Sequence, residues 1–212
     1  PAGFPVGVYT VTVENPDGSS GALPDALTVG YPVPEVESVD PVSGTYGQAL
    51  VLTVTGTHFV PTPTVSLGSV PCPAVDFVSS TTLTVTVPGA LPPGIHELTV
   101  VNPGPEAPQD DLPDAFTLYS PKPTVTAIEP IEGPNDLAVA VVITGTGFAP
   151  TPEAALAEIP LADVTWISDT RLTAQVPWGM DPATYALTVT NPGPNAPTAS
   201  LTDAFTVTEG IG

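Results

Sequence analysis

The chain has 212 residues, of which 22 are acidic and only 2 basic, for a formal net charge of −20. That balance excludes nucleic acid and anionic membrane surfaces as partners, because neither phosphate backbone nor lipid headgroup would be neutralised. Its 30 prolines and 19 glycines sit at fixed offsets between alternating apolar runs, which marks ordered turns between strands and leaves almost no helical period.

Residues 1–30 open with Gly7-Val8-Tyr9-Thr10-Val11-Thr12-Val13-Glu14-Asn15-Pro16, a run that returns as Gly94 to Pro103 and as Ala183 to Pro192. Leu23-Pro24-Asp25-Ala26-Leu27-Thr28-Val29 then matches Leu112 to Leu118, after a two-residue length difference. Two strands are expected here, over Val8–Val13 and Ala26–Val29. They form the C-terminal hairpin of a truncated repeat, to be completed by other polypeptide, either upstream residues of a longer array or an adjoining chain.

Residues 31–119 and 120–209 are two full copies related by a gap-free offset of 89, with 210–212 as a tail. Thr55-Gly56-Thr57-His58-Phe59 returns as Thr144-Gly145-Thr146-Gly147-Phe148, and Asp114-Ala115-Phe116 as Asp203-Ala204-Phe205. A fixed period of this kind denotes a tandem array of one unit. In the first full copy the expected strands are an opening edge strand at Val36 and Val39, then Ala49–Gly56, Thr64–Leu67, Val75–Val78, Thr82–Val87, His96–Val101 and Ala115–Leu118. About seven short alternating strands in such a length predict an all-β chain of tandem immunoglobulin-like sandwiches. Glu153-Ala154-Ala155-Leu156-Ala157-Glu158 aligns with the Thr64 strand and is read as a strand. Phe59/Phe148, Phe77/Trp166, Leu83/Leu172, Leu98/Leu187 and Phe116/Phe205 are the expected paired core positions. Pro-bearing linkers, Tyr31-Pro32-Val33-Pro34 and Ser120-Pro121-Lys122-Pro123, are expected to be extended and semi-rigid.

In the penultimate strand Tyr9 and Tyr185 stand two residues before a core aliphatic, the arrangement of a tyrosine corner. The middle copy places His96 there, whose ring nitrogen can make the same bond. The ordered series Pro34-x-Val-x-x-Val-x-Pro41, Thr-Gly-Thr-x-Phe, Leu83-Thr-Val-x-Val-Pro88, Gly-x-Tyr-x-Leu-Thr-Val-x-Asn-Pro and Asp-Ala-Phe-Thr-Val resembles the IPT/TIG family of immunoglobulin-like domains. The resemblance covers both full copies and the fragment. It implies a range of uses: bacterial surface proteins, accessories of starch-acting enzymes, plexin-type receptors and Rel-type DNA-binding factors. The last of these needs basic loops that this chain lacks.

Site chemistry is sparse. Zinc needs three or four convergent ligands, whereas the two histidines and one cysteine stand at no ligand spacing, and His58 is replaced by Gly147 in the next copy. Asp110-Asp111 with Asp114, or Glu35 with Glu37, invite a calcium reading, but no DxDxDG loop exists, and Asp110 and Asp111 align with Ala199 and Ser200. The recurrent Asp25, Asp114 and Asp203 are assigned local turn or capping roles. Cys72, aligned with Leu161, is read as a small buried hydrophobe. No Gly-x-Ser-x-Gly elbow or paired nucleophile and base appears, so no catalytic residue, cofactor or metal is expected and the chain is read as a non-enzyme. Each Asn-Pro is read as a strand-ending turn. Trp166 aligns with Phe77 and is read as core. Trp178 stands in a loop where the other copy has Gly89, and is the one candidate ligand contact, by stacking on a sugar. The expected function is a non-catalytic structural array of an extracellular or cell-surface protein: a stalk, adhesin shaft or filament subunit whose partners are neighbouring repeats or subunits. The alternative is a carbohydrate-binding or accessory module of a secreted polysaccharide-acting enzyme. No 18-residue apolar run that could insert in a membrane is present.

Overall fold

A computed structural model describes residues 4–210. These residues contain twenty strands and no helix. The first two, β1 (Gly7–Glu14) and β2 (Ser20–Val29), form an antiparallel hairpin that is a sheet by itself. In it Val11 faces Leu23 and Tyr9 faces Leu27, with a bulge between. Asp25 fills that bulge at φ 52°, a left-handed conformation that Asp tolerates better than most side chains.

The middle repeat contains β3 (Glu35–Asp40), β4 (Ser43–Thr45), β5 (Val51–Thr57), β6 (Thr64–Leu67), β7 (Val70–Pro71), β8 (Val75–Ser79), β9 (Thr82–Thr86), β10 (Gly94–Val101) and β11 (Gln109–Tyr119). One sheet has the order β3-β5-β9-β8 and the other β4-β11-β10-β6-β7. The last repeat runs β12 (Thr124–Glu129), β13 (Glu132–Pro134), β14 (Val139–Thr146), β15 (Glu153–Leu156), β16 (Ile159–Pro160), β17 (Ala162–Ser168), β18 (Arg171–Val176), β19 (Ala183–Thr190) and β20 (Thr198–Thr208). Its sheets, β12-β14-β18-β17 and β13-β20-β19-β15-β16, repeat the same order. Register is kept as well: Thr117 pairs in parallel with Ser43, and Thr206 with Glu132.

Each repeat therefore has nine strands where about seven are expected. The opening strand breaks at Pro41, which has no N–H to give a ladder, and its second half, β4, crosses to the opposite sheet to pair with β11. The two-residue β7 accounts for the other difference. The last strand is also longer than its sequence suggests, because Pro113 and Asp114, at φ 50°, read as a turn but lie within a bulged β11.

Alternation builds the core. Along β5, Leu52, Val54 and Gly56 are buried while Val51 and Thr53 are exposed, the period expected of a strand with one covered face. Leu83, Leu98, Phe59 and Phe116 are buried in the middle repeat, and Leu172, Leu187, Phe148 and Phe205 belong to one buried cluster in the last. One expected pair fails. Phe77, on edge strand β8, is 36% exposed, and Trp166 at the same place on β17 is only partly buried. Both residues flank the core from an edge that no further strand covers. The indole gains what the phenyl ring cannot, since Trp166 Nε1 donates to the Phe148 carbonyl at 3.0 Å. Cys72 is half-buried, unlike its buried counterpart Leu161. Its place on the rim between β7 and β8 is more open than a core position.

Gly56 and Gly145 explain the Thr-Gly-Thr-x-Phe motif. A Cβ on Gly56 would collide with the Glu35 carbonyl oxygen and come within 2.8 Å of Phe59 Cζ; on Gly145 it would meet the Thr124 carbonyl and Phe148 Cζ at 2.7 Å. The strand and the Phe ring close on the glycine from both sides, so no larger residue fits.

Candidate functional site

Three equivalent corners repeat along the chain. Tyr9 donates its hydroxyl to the Pro5 carbonyl at 2.7 Å, and Tyr185 donates to the Asp181 carbonyl at 2.8 Å. His96 Nε2 lies 2.9 Å from the Pro92 carbonyl. All three bonds span four residues and fix the angle at which the chain enters the penultimate strand.

A more extensive polar device lies at the other end of that strand, and sequence reasoning missed it. Asn102 and Asn191 are completely buried. The Asn102 amide nitrogen donates to the carbonyls of Pro32 (3.0 Å) and His58 (2.8 Å), and its oxygen accepts from Val60 N at 3.3 Å. Asn191 reproduces the pattern with Pro121 (2.9 Å), Gly147 (2.7 Å) and Ala149 N (3.0 Å). One side chain thus ties the Pro-rich linker to the turn after the Thr-Gly-Thr segment. That turn is left-handed in both repeats, φ 61° at His58 and 70° at Gly147. In the last repeat the linker has two further ties, Ser120 Oγ to the Pro192 carbonyl (2.5 Å) and Asn195 Nδ2 to the Ser120 carbonyl (3.1 Å). The recurrence of Asn before Pro in all three copies was the available signal, but Asn-Pro also suits an exposed turn.

Trp178 is 73% exposed in the turn between β18 and β19. Its backbone is well anchored: Gly179, at φ 84°, donates to the Asn135 carbonyl at 2.7 Å, and the next residue, Met180, is buried. Asn135 is itself held by Thr208 and accepts from Gly210 N at 2.9 Å. Exposed Leu137 lies two residues beyond Asn135 in that loop, where the middle repeat has Gln48. The indole is therefore presented to solvent from a pinned loop.

The remaining candidates have local explanations. Asp110 accepts from Val36 N at 2.7 Å, beside the bulge of β3. Asp114 and Asp203 occupy left-handed bulge positions at φ 50°. His58 Nδ1 sits 3.1 Å from the neighbouring Thr57 hydroxyl. Among the described residues no three His, Cys, Asp or Glu side chains converge as metal ligands would. Burial pushes the Cys72 thiol up to about 11, so it is protonated and a poor nucleophile near neutrality. A surface groove of about 500 Å³ runs between Pro152, Ala154, Pro160, Leu161 and Val164, and the middle repeat has a groove in the same place, by Pro63, Val65, Pro71, Cys72 and Val75. Polar side chains interrupt the apolar walls of both, Glu153, Thr188 and Thr190 in the first and Thr62 and Thr64 in the second.

The model of the IPT/TIG domain matches residues 34–118 and again residues 123–207. The chain belongs to the IPT/TIG family. The two matches coincide with the two sandwiches, so this IPT/TIG tandem is all-β as its sequence pattern indicates. No curated protein matches the chain. Among solved structures, the adhesin InvE of Yersinia pseudotuberculosis is similar at 13% identity and TM-score 0.48, over 81% of this chain and 58% of its own. SGBP-B from a complex xyloglucan utilization locus in Bacteroides uniformis is similar at 16% identity and TM-score 0.38, over 82% of this chain and 50% of its own. The extracellular region of plexin A4 is similar at 12% identity and TM-score 0.39, over 82% and 18%. The tandem spans less than two thirds of each of these chains, and at such identities the likeness concerns the fold alone.

Proposed function

We propose that this IPT/TIG tandem is a non-catalytic structural segment of an extracellular or cell-surface protein, a stalk, adhesin shaft or filament part. The carrying observation is the buried asparagine of each full repeat, which binds the incoming linker to the body of that repeat. A buried side chain with all its hydrogen bonds made costs little and fixes geometry, whereas a solvated linker would leave the entry path free. Two repeats whose buried asparagine side chains are given over to linker attachment suit a spacer. Partners in this reading are neighbouring repeats or subunits. Regular end-to-end assemblies of the protein in electron micrographs would support it.

A second reading has its own observation. Trp178 offers an exposed indole on an anchored loop, the geometry with which a sugar ring can be stacked. Under this reading the tandem is a polysaccharide-binding or accessory module of a secreted enzyme. Glycan-array binding by the full chain that disappears in Trp178→Ala would select it over the spacer. Binding that survives the substitution, or no binding at all, would remove it.

A further inference from the structure

Trp178 does not stand alone. The two segments that carry it and Leu137 are tied at both ends, by the ladder pair Val139–Val176 and by the bond from Gly179 N to the Asn135 carbonyl at 2.7 Å. Leu137 and Trp178 lie opposite one another between these ties, 63% and 73% exposed. Two large apolar residues facing across adjacent segments are within reach of one another, and they make a broader surface than a single ring. The middle repeat has Gln48 and Gly89 at the same places, so the pair belongs to the last repeat alone.

Charge divides this repeat along its length. The chain's one lysine and one arginine, Lys122 and Arg171, both belong to the end of the repeat away from Trp178. Arg171 opens β18 opposite Thr144, and Lys122 precedes Thr124, which pairs with Thr146. Trp178 follows the other end of β18. The six residues of that strand put Arg171 on the order of 20 Å from Trp178, more than twice the screening length of about 8 Å at physiological salt. The Trp178 end carries Asp136, Asp181 and Glu209 instead. The Asp136 carboxylate packs over Gly210, whose N–H donates to the Asn135 side chain at 2.9 Å, and Asp181 is exposed between Met180 and Pro182. An anionic ligand therefore meets repulsion at this surface with no cation to offset it. Sugar hydroxyls suit it better: they donate, carboxylates accept, and bonds to a charged acceptor are the stronger kind. The C–H face of a pyranose ring in turn covers an indole and an aliphatic side chain together.

Resting on the reading of Trp178 as a sugar contact, we propose that Leu137 and Trp178 form one platform for an uncharged polysaccharide, whose hydroxyls are received by Asp136 and Asp181. Polymers that carry carboxylate, sulfate or phosphate groups are rejected there.

Affinity electrophoresis of the full 212-residue chain tests this. The gels contain hydroxyethylcellulose, galactomannan or soluble starch, each run beside its carboxymethylated form. At least one uncharged polymer should retard the chain, and its carboxymethylated form should bind at least about tenfold more weakly at low salt, because like charges brought together are costly. Retardation by the uncharged polymer should change less than about twofold between about 10 and about 150 mM sodium chloride, since no ion pair forms. Trp178→Ala should abolish it, and Leu137→Ala should weaken it about fivefold, the scale of uncovering part of a leucine. Trp178→Phe keeps a ring and should retain most of it, which separates lost stacking from a lost fold. Asp136→Asn with Asp181→Asn should narrow the gap between the uncharged and carboxymethylated forms. Retardation that needs Trp178 but is as strong in the carboxymethylated gel, or is untouched by Leu137→Ala, overturns the proposal and leaves Trp178 a sugar contact. Retardation that survives Trp178→Ala, or none in any gel, overturns both.

Discussion

Asn191 is a single residue whose removal has a calculable effect. Its side chain satisfies two carbonyls and one amide inside the last repeat, and no described buried side-chain nitrogen or oxygen lacks a partner. Asn191→Ala would leave the carbonyls of Gly147 and Pro121 and the Ala149 amide unpaired away from water. The expected loss is about 3 kcal/mol, read as a lower urea midpoint for the last repeat, with Asn102→Ala acting equally on the middle one. A loss under about 0.5 kcal/mol, the scale of an ordinary surface substitution, would show that water replaces the clamp. Cys72 offers a second residue-scale test. Its thiol is pushed from 9.0 up to about 11 because burial penalises the thiolate. Alkylation by iodoacetamide should therefore keep accelerating between these two values in the folded chain, whereas an ordinary thiol would level off near the lower one. The sign for stability follows: the folded state holds the proton more tightly, so the contribution is complete below the unfolded value and is lost as pH rises through the folded one.

The strand elements owe their order to close approaches that the sequence shows only as patterns. Gly145 lies where the Thr124 carbonyl and the Phe148 ring meet, so Gly145→Ala must push apart β12 and β14, which pair at Val125–Gly145. The expected destabilisation is about 3 kcal/mol, at the upper end for overpacking, measured by thermal or urea unfolding of the last repeat. An unchanged midpoint would mean that the edge strand yields freely. Much of this architecture was legible, because period-two alternation and an 89-residue repeat locate most strands twice over. What was illegible has physical causes. Pro113 and Asp114 carry turn chemistry, yet a bulge inside β11 accommodates both. Pro41 marks where the opening strand breaks, but the transfer of its second half, β4, to the opposite sheet is a long-range choice with no local marker. Phe77 has a core residue's composition, and only its placement on edge strand β8 exposes it. Asn102 and Asn191 recur visibly, but a turn residue and a buried clamp look alike until the linker carbonyls are placed beside them. Trp178 stood out correctly as a loop residue, since its counterpart is Gly89 and no alternating run surrounds it.

At the scale of the whole molecule, charge acts as a distributed term. The net −20 is spread as −3 over residues 1–30, −9 over residues 31–119 and −8 over residues 120–212, so no single tail holds it. Two cations, Lys122 and Arg171, can pair with at most a small share of 22 carboxylates. Folding gathers the unpaired charges onto a compact surface, whereas the unfolded chain holds them farther apart, and like charge therefore opposes the native state. Sodium chloride should relieve this. Raising it from about 10 mM to about 150 mM shortens the screening length from about 30 Å to about 8 Å, less than the span of one sandwich. Repulsion across a repeat is then cut while neighbouring contacts persist, and stability should rise by on the order of 1 kcal/mol. Urea unfolding at fixed neutral pH over this salt series measures it. The gain should saturate once the screening length falls below the spacing of neighbouring carboxylates, unlike the continuing rise that solute exclusion gives with sulfate. A fall in stability with added chloride would mean that attraction involving Lys122 or Arg171 outweighs the repulsion of the acidic surface.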